Sequence, residues 1–361
     1  MKPSWLAVRL ELAHLLLNTS GAKAALSVLD EVNEVAPAQR NSLAFVIERN
    51  WALWSAGEMA ELRKQLDRSL AQVRAPQLLV QDGMWKLKAG KTQEGRRALE
   101  EALKRDPQEL SALTMLTNSY LAQKDPAKAI QVAQEYAGQQ PKSARMQEFL
   151  GSMLMTQGKL SQARTALNAS LAADPSFEPA LLSLGQLDVV EGKWDDARGR
   201  LNTVLNKNSK STTARLWMGV IEEANGNYQG ALKYYREVLD VDPNNAEALN
   251  NAAYLLADRA NQPDEALRYA QRAVELHPGK TAYEDTLGWA LYRKGLYDVA
   301  VPHLEQAAAQ KGSAVPKYHL AMAYAKSGDR TRGQTALEAA LKLNPNLPEA
   351  KIAKQVISEA K

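Results

Sequence analysis

The chain has 361 residues, too many for one hydrophobic core, because such cores stop growing near about 250–300 residues; two or three domains or one elongated repeat array are the options. Its 45 Lys+Arg and 41 Asp+Glu leave a formal net charge of +4, and the two signs are interspersed, so the basic stripe that marks nucleic-acid binding is missing. The absence of cysteine removes thiol catalysis, disulfides and thiolate metal sites, and no apolar run reaches the roughly 18 residues of a membrane-spanning helix.

The first element lies within MKPSWLAVRLELAHLLLNTSG. Arg9, Glu11 and His14 break its apolar run into helical periodicity, which is not the pattern of a signal peptide. A chain that enters a helix so early is expected to be a piece of a longer protein. Its compartment stays open on this reading: periplasm or cell envelope if the parent is secreted, cytoplasm otherwise. The rest of the chain is rich in Ala, Leu, Lys, Glu and Gln, and the whole holds only three Phe and shows no alternating Val/Ile/Thr run, so an all-α protein is expected.

The helices recur at a fixed period. Segments close at Pro107, Pro141, Pro175, Pro243, Pro278 and Pro345, at separations of 34, 34, 68, 35 and 67 residues. The unit is therefore 34 residues; two more units close at Ser209 and Gly312, where proline is replaced, and two earlier ones near Arg74 and at Pro37, which makes ten. Units open on pairs such as Leu150-Gly151, Leu184-Gly185, Met218-Gly219 and Leu287-Gly288, and turn at a glycine seven residues later (Gly158, Gly192, Gly226, Gly295). A small residue then stands in the second helix: Ala129, Ala163, Ala197, Ala231, Ala266, Ala300. Small residues let two antiparallel helices approach, the turn glycine accepts a left-handed backbone, and the closing proline starts a helix without wasting an amide donor. Residues 1–75 read as two degenerate units, with Asn50 and Leu62 where small residues are usual. Residues 76–345 read as eight regular units, the one at 246–278 with an extra turn residue, and 346–361 as a capping helix.

No reactive constellation interrupts this pattern. His14, His277, His303 and His319 never fall at helical ligand spacing; His303 reads as a surface residue, and Pro302 beside it as lying within about the first turn of its helix, where a missing amide donor costs little. Serine stands in no nucleophile elbow, and the glycines fall at repeat turns rather than in a phosphate-binding loop. Asp195-Asp196 and Glu222-Glu223 read as solvated helix surface. No catalysis, metal or cofactor is expected.

The pattern resembles the tetratricopeptide repeat (TPR) family, whose W-x2-L-G-x2-Y, A-x3-F and closing A and P are matched by EGKWDDARGRLNTVL and NGNYQGALKYYREVL. The resemblance implies a right-handed α-solenoid whose first helices line a concave groove that holds a protein or peptide. With each Leu-Gly at unit positions 7 and 8, positions 4, 7, 8 and 11 form the core stripe. Positions 2, 5, 9, 12 and 13 lie on roughly the opposite side and, by the resemblance, face the groove. That second stripe is mild in the middle units and changes character in the last three. There it carries Asn250, Tyr254 and Asp258, then Asp285, Trp289, Tyr292 and Arg293, then Tyr318, Met322 and Lys326. Aromatics interleaved with Asn, Asp and Arg make a recognition surface; the alternative is that Trp289 and Tyr292 fill gaps between repeats as core. Trp51 and Trp54, in the second degenerate unit, are a weaker candidate pair, and self-association through those N-terminal units is a further expectation. Asp285 and Tyr318 stand where a carboxylate clamp of the family needs lysine, which argues against that clamp.

The run LNNAAYLLADRANQPDEALRYAQRAVELHP and the segment DTLGWALYRKGLYDVAVPHLEQA are also similar to closing units of large bacterial envelope TPR proteins associated with exopolysaccharide export and protein sorting. The expected function is a non-catalytic scaffold binding a peptide or partner segment in the groove, without nucleic acid or membrane insertion. Two alternatives stay open: an envelope assembly factor within a larger lipoprotein, and a regulatory segment of an enzyme whose catalytic domain lies outside this chain.

Overall fold

The computed structural model describes residues 4–19, 21–30, 41–310 and 312–359, so the unit end expected at Pro37 lies outside the described residues. Contacts divide the chain into two compact units, Met1–Ala180 and Leu181–Lys361. The first holds α1 (Ser4–Asn18), α2 (Ala22–Asp30), α3 (Leu43–Ala56), α4 (Met59–Gln72), α5 (Pro76–Lys88), α6 (Thr92–Arg105), α7 (Leu110–Ala122), α8 (Pro126–Gln139), α9 (Ala144–Thr156) and α10 (Leu160–Ala173). Helix α11 (Glu178–Val190) begins in the first unit and ends in the second. The second continues with α12 (Trp194–Lys207), α13 (Thr212–Ala224), α14 (Tyr228–Val241), α15 (Ala246–Asp258), α16 (Pro263–Leu276), α17 (Thr281–Arg293), α18 (Tyr297–Ala308), α19 (Val315–Lys326), α20 (Arg330–Leu343) and α21 (Ala350–Glu359). Among the described residues these are ten antiparallel helix pairs plus one terminal helix, with no strand: an all-α solenoid of the kind the 34-residue period predicts.

The close approach within each pair explains the small residues. At Gly288 a Cβ would lie 2.5 Å from Leu304 Cγ, and at Gly151 2.5 Å from Leu167 Cγ, so the first helix has room only for hydrogen where the second lays its leucine. Ala300 and Leu304 are fully buried against this gap. The turn that follows α17 needs a left-handed residue, supplied by Gly295 at φ 84°, with its amide bonded to Tyr292 O at 2.9 Å. The same turn position carries Lys124 at φ 60° between α7 and α8, and Asn261 at φ 52° in the lengthened turn between α15 and α16.

Two local expectations change. Pro302 stands inside α18, beyond its first turn, so it removes an interior amide donor rather than a terminal one. It is exposed, and the Asp298 carbonyl it leaves unbonded belongs to an exposed residue that water reaches. His303 is only half-exposed, with Nδ1 2.7 Å from Oε2 of the buried Glu284. In the degenerate second pair Asn50 is buried: its amide donates to Gln81 Oε1 at 2.8 Å, and Gln81 Nε2 donates to Ile47 O at 3.0 Å, a tie absent from the regular pattern. At the far end, α21 packs on α19 and α20, with Ala353 and Ile357 buried.

Two substitutions test the pair geometry. Gly288→Ala is expected to destabilise by about 1–3 kcal/mol through overpacking against Leu304, and Gly288→Ala/Leu304→Ala to recover part of that, both read from urea midpoints. Lys124→Gly relieves a left-handed non-glycine and is expected to raise stability by up to about 1 kcal/mol.

Candidate functional site

Helix α17 organises the second unit. Nine consecutive residues, Tyr283 to Leu291, are buried, because α15, α16, α18 and α19 all pack on it. Its polar residues must therefore find partners in neighbouring helices. Asp285 accepts from His319 Nδ1 at 2.9 Å, joining α17 to α19. Trp289 Nε1 donates to Asp258 Oδ1 at 3.2 Å, and Arg293 donates to Asp258 O at 3.4 Å, joining α17 to α15. Asp258 also pairs with Arg259 Nε at 3.0 Å and with Arg293 Nη1 at 3.5 Å.

An aromatic stack runs through these ties. The Trp289 ring lies between Tyr292, with centroids 4.7 Å apart and planes 9° from parallel, and His319 at 4.1 Å and 20°. Tyr318 tilts against both Trp289 and His319, and Tyr254 tilts against His319. Trp289, Tyr318 and Met322 are at most 6% exposed, so the expectation that they stand free on the surface is corrected; their bodies pack between repeats, and part of each ring or chain also walls a cavity. Burial pushes the Tyr254 and Tyr292 hydroxyls up to about 12 and raises that of Tyr318 as well, so all three are neutral donors at physiological pH.

Two adjoining cavities open beside this stack. The first, of about 320 Å³, is lined by Glu223 of α13, Asn250, Asn251 and Tyr254 of α15, Asp285 and Thr286 of α17, and the start of α19. The second, of about 380 Å³, is lined by Tyr254, Asp258, Arg259, Trp289, Tyr292, Arg293, Tyr318, His319 and Met322, and closed by Glu349 and Ile352 at the terminal helix. Tyr254 is common to both. At the first, Asn250 Nδ2 donates to Asn251 Oδ1 at 3.2 Å, while the enclosed Asn250 Oδ1 accepts from no protein group. Glu223 accepts from Tyr235 Oη at 2.9 Å, and burial raises its carboxyl above the usual carboxylate range.

Nine of the ten C-terminal candidates thus gather around the two cavities. Lys326 does not: it is exposed and lines neither. Trp51 and Trp54 belong to the first unit. Both are half-buried, and Trp54 packs beside Leu53 and Leu62 with Lys88 Nζ 4.6 Å from its ring centre. His319, Glu223, Glu349 and Ile352 were not among the candidates. Glu223 stands on the groove stripe, but its pairing with Glu222 reads in the sequence as solvated surface; the structure corrects this, since Glu223 is half-buried at the first cavity, whereas His319 falls at unit position 6, on neither stripe. Among the described residues no cluster of three or more metal-ligating side chains occurs.

Models of the tetratricopeptide repeat match residues 86–152, 182–246, 222–281 and 316–347, more than half of the chain. The chain belongs to the tetratricopeptide repeat family. Such repeats generally form scaffolds that bind protein or peptide partners, and by its repeats this chain is a protein–protein interaction scaffold. A stretch of 75 residues is 40% identical to the TPR repeat-containing protein PA4667 of Pseudomonas aeruginosa; it covers 21% of this chain and only 13% of that protein's length. Among solved structures, a chain of the APC/C hetero-tetramer Cut9-Hcn1 shares the fold, with a TM-score of 0.62 at 16% identity over 97% of this chain and 83% of the other. A tetratricopeptide repeat protein from Parabacteroides merdae aligns with a TM-score of 0.49 at 18% identity, over 68% of this chain and 98% of its own.

The Asp285–His319 tie is expected to be the energetic keystone of the stack. Removing either partner leaves a buried polar group behind, so His319→Ala and Asp285→Ala each lower stability, and a double-mutant cycle in urea returns a coupling of about 1–3 kcal/mol. The tyrosines set an alkaline limit. Tyr254 and Tyr292 ionise near 10 when unfolded but near 12 when folded, so their contribution is complete below pH 10 and is lost as pH rises towards 12. Melting temperatures should hold to about pH 10 and fall steeply above it, with phenolate absorbance rising at the transition.

Proposed function

We propose that the second unit holds an extended peptide or unstructured segment of a partner protein across the two cavities formed by α13, α15, α17, α19 and the terminal helix. One observation carries this reading: two adjoining cavities of about 320 and 380 Å³ share a wall at Tyr254 and are lined by groups from several successive repeats. Cavities of this size match single large side chains, and side chains of alternate residues on an extended segment fall on one face, about 7 Å apart. The aromatic walls bring contact area at little entropic cost because the stack already fixes their rotamers. Neutral tyrosine hydroxyls and the unmet Asn250 Oδ1 supply polar anchors for a peptide backbone.

Val315 and Ile352, 42% and 55% exposed, line the cavities without supporting the core and are the positions to block. Val315→Glu and Ile352→Glu are each expected to weaken capture of the chain's peptide ligands by about tenfold or more with unchanged helicity by circular dichroism. Lys326→Glu, outside both cavities, should leave capture intact. Equal binding by all three variants would remove the site from these cavities.

A further inference from the structure

The walls of the two cavities differ in chemistry, and the difference selects an occupant. The first presents acceptors: the Glu223 and Asp285 carboxylates, the unmet Asn250 Oδ1 and the Asn251 amide, with no Lys or Arg lining it among the described residues. Its neighbour presents an edge of Trp289 and the Tyr292 ring with Met322 and Ile352. Two carboxylates, Asp258 and Glu349, and two guanidinium groups, Arg259 and Arg293, stand around that second cavity, and both guanidiniums are already held by Asp258. Taken together, among the described lining residues four carboxylates face two cations that are themselves paired.

We propose that the bound segment carries a lysine or arginine beside an aromatic or long aliphatic residue, the basic side chain seated among Glu223, Asn250 and Asp285 and the apolar one against Trp289, Tyr292 and Ile352. This rests on the peptide-binding reading and adds the identity of the side chains. A carboxylate taken from water needs a compensating charge or donor. Glu223 has one hydroxyl donor, from Tyr235, and only a distant cation, Arg259, whose guanidinium is paired with Asp258 and lies over the Tyr228 ring. Asp285 has His319 on one oxygen, Oδ1. An ammonium or guanidinium entering this cavity finds three acceptors in one place, while an acidic side chain there meets like charge. The tyrosine wall they share leaves the two side chains on the same face of an extended backbone, two residues apart.

The test is a displayed library of random octapeptides selected on the immobilised full chain, followed by anisotropy titration of the enriched peptides. Enrichment of Lys or Arg two positions from an aromatic or aliphatic residue is expected. Replacing that basic residue by Met in the best peptide should weaken binding about tenfold, and replacing it by Glu should weaken it further. Glu223→Gln should erase most of the Lys-over-Met preference while the Met peptide binds as before. Peptides that enrich in these cavities, are lost with Ile352→Glu, and show no basic preference would overturn the charge assignment and leave the groove reading standing. A library with no enrichment at all would overturn both.

Discussion

The second unit depends on the burial of α17 from every side. An ordinary repeat helix keeps one polar stripe towards water, and charge placed there costs nothing. Here Tyr283 through Leu291 are buried without a break, so Glu284, Asp285 and the indole N–H of Trp289 lose their solvent. Each must be met by a residue from another helix: His303 of α18 for Glu284, His319 of α19 for Asp285, and Asp258 of α15 for Trp289. Three polar ties thus run outward from one helix to three neighbours. They fix the rotation of α17 more narrowly than apolar packing does, because a small turn about the axis breaks directed bonds whereas leucines simply repack.

That fixed rotation is what makes the aromatic stack serve two purposes. Trp289 is pinned by its N–H at one edge and by Tyr292 and His319 on its two faces. Packed this way it is core, as the more conservative reading of the sequence holds, yet the same ring borders the second cavity. Core and recognition surface are not alternatives for such a residue. An indole immobilised from behind has no rotamer entropy left to lose when a ligand covers its remaining edge, so burial of the ring favours binding rather than arguing against it.

Most of the fold was legible because the repeat repeats. Gly288 facing Leu304 and Gly151 facing Leu167 are the same contact many residues apart, and a period of 34 can be counted without knowing the contact. The candidate stripe was legible for the same reason: residues at positions 5, 9, 12 and 13 of the last three units, all but Lys326, converge around two cavities. What escaped were residues whose role depends on one particular neighbour. His319 matters because Asp285 stands opposite it on the preceding unit, and a count of helical angles within one unit cannot see a partner 34 residues away. Pro302 misled in the other direction. The helix around it begins at Tyr297, and the boundary, not the proline, decides whether an amide is lost from an end or from the interior.

The acidic bias of the first cavity comes from this same register. Glu223, Asn250 and Asp285 come from three successive first helices, at unit positions 12, 5 and 5, so stacking brings acceptors together that are far apart in sequence. The cations of the region are drawn elsewhere: Arg293 and Arg259 converge on Asp258, one helical end away from Asn250. Because Asp258 gathers both guanidiniums, it leaves Glu223 with only distant positive charge and Asp285 with a histidine as its partner. Asp258 therefore shapes the charge around the first cavity without lining it. It holds the tryptophan that walls one side and sequesters the charge that would otherwise neutralise the other.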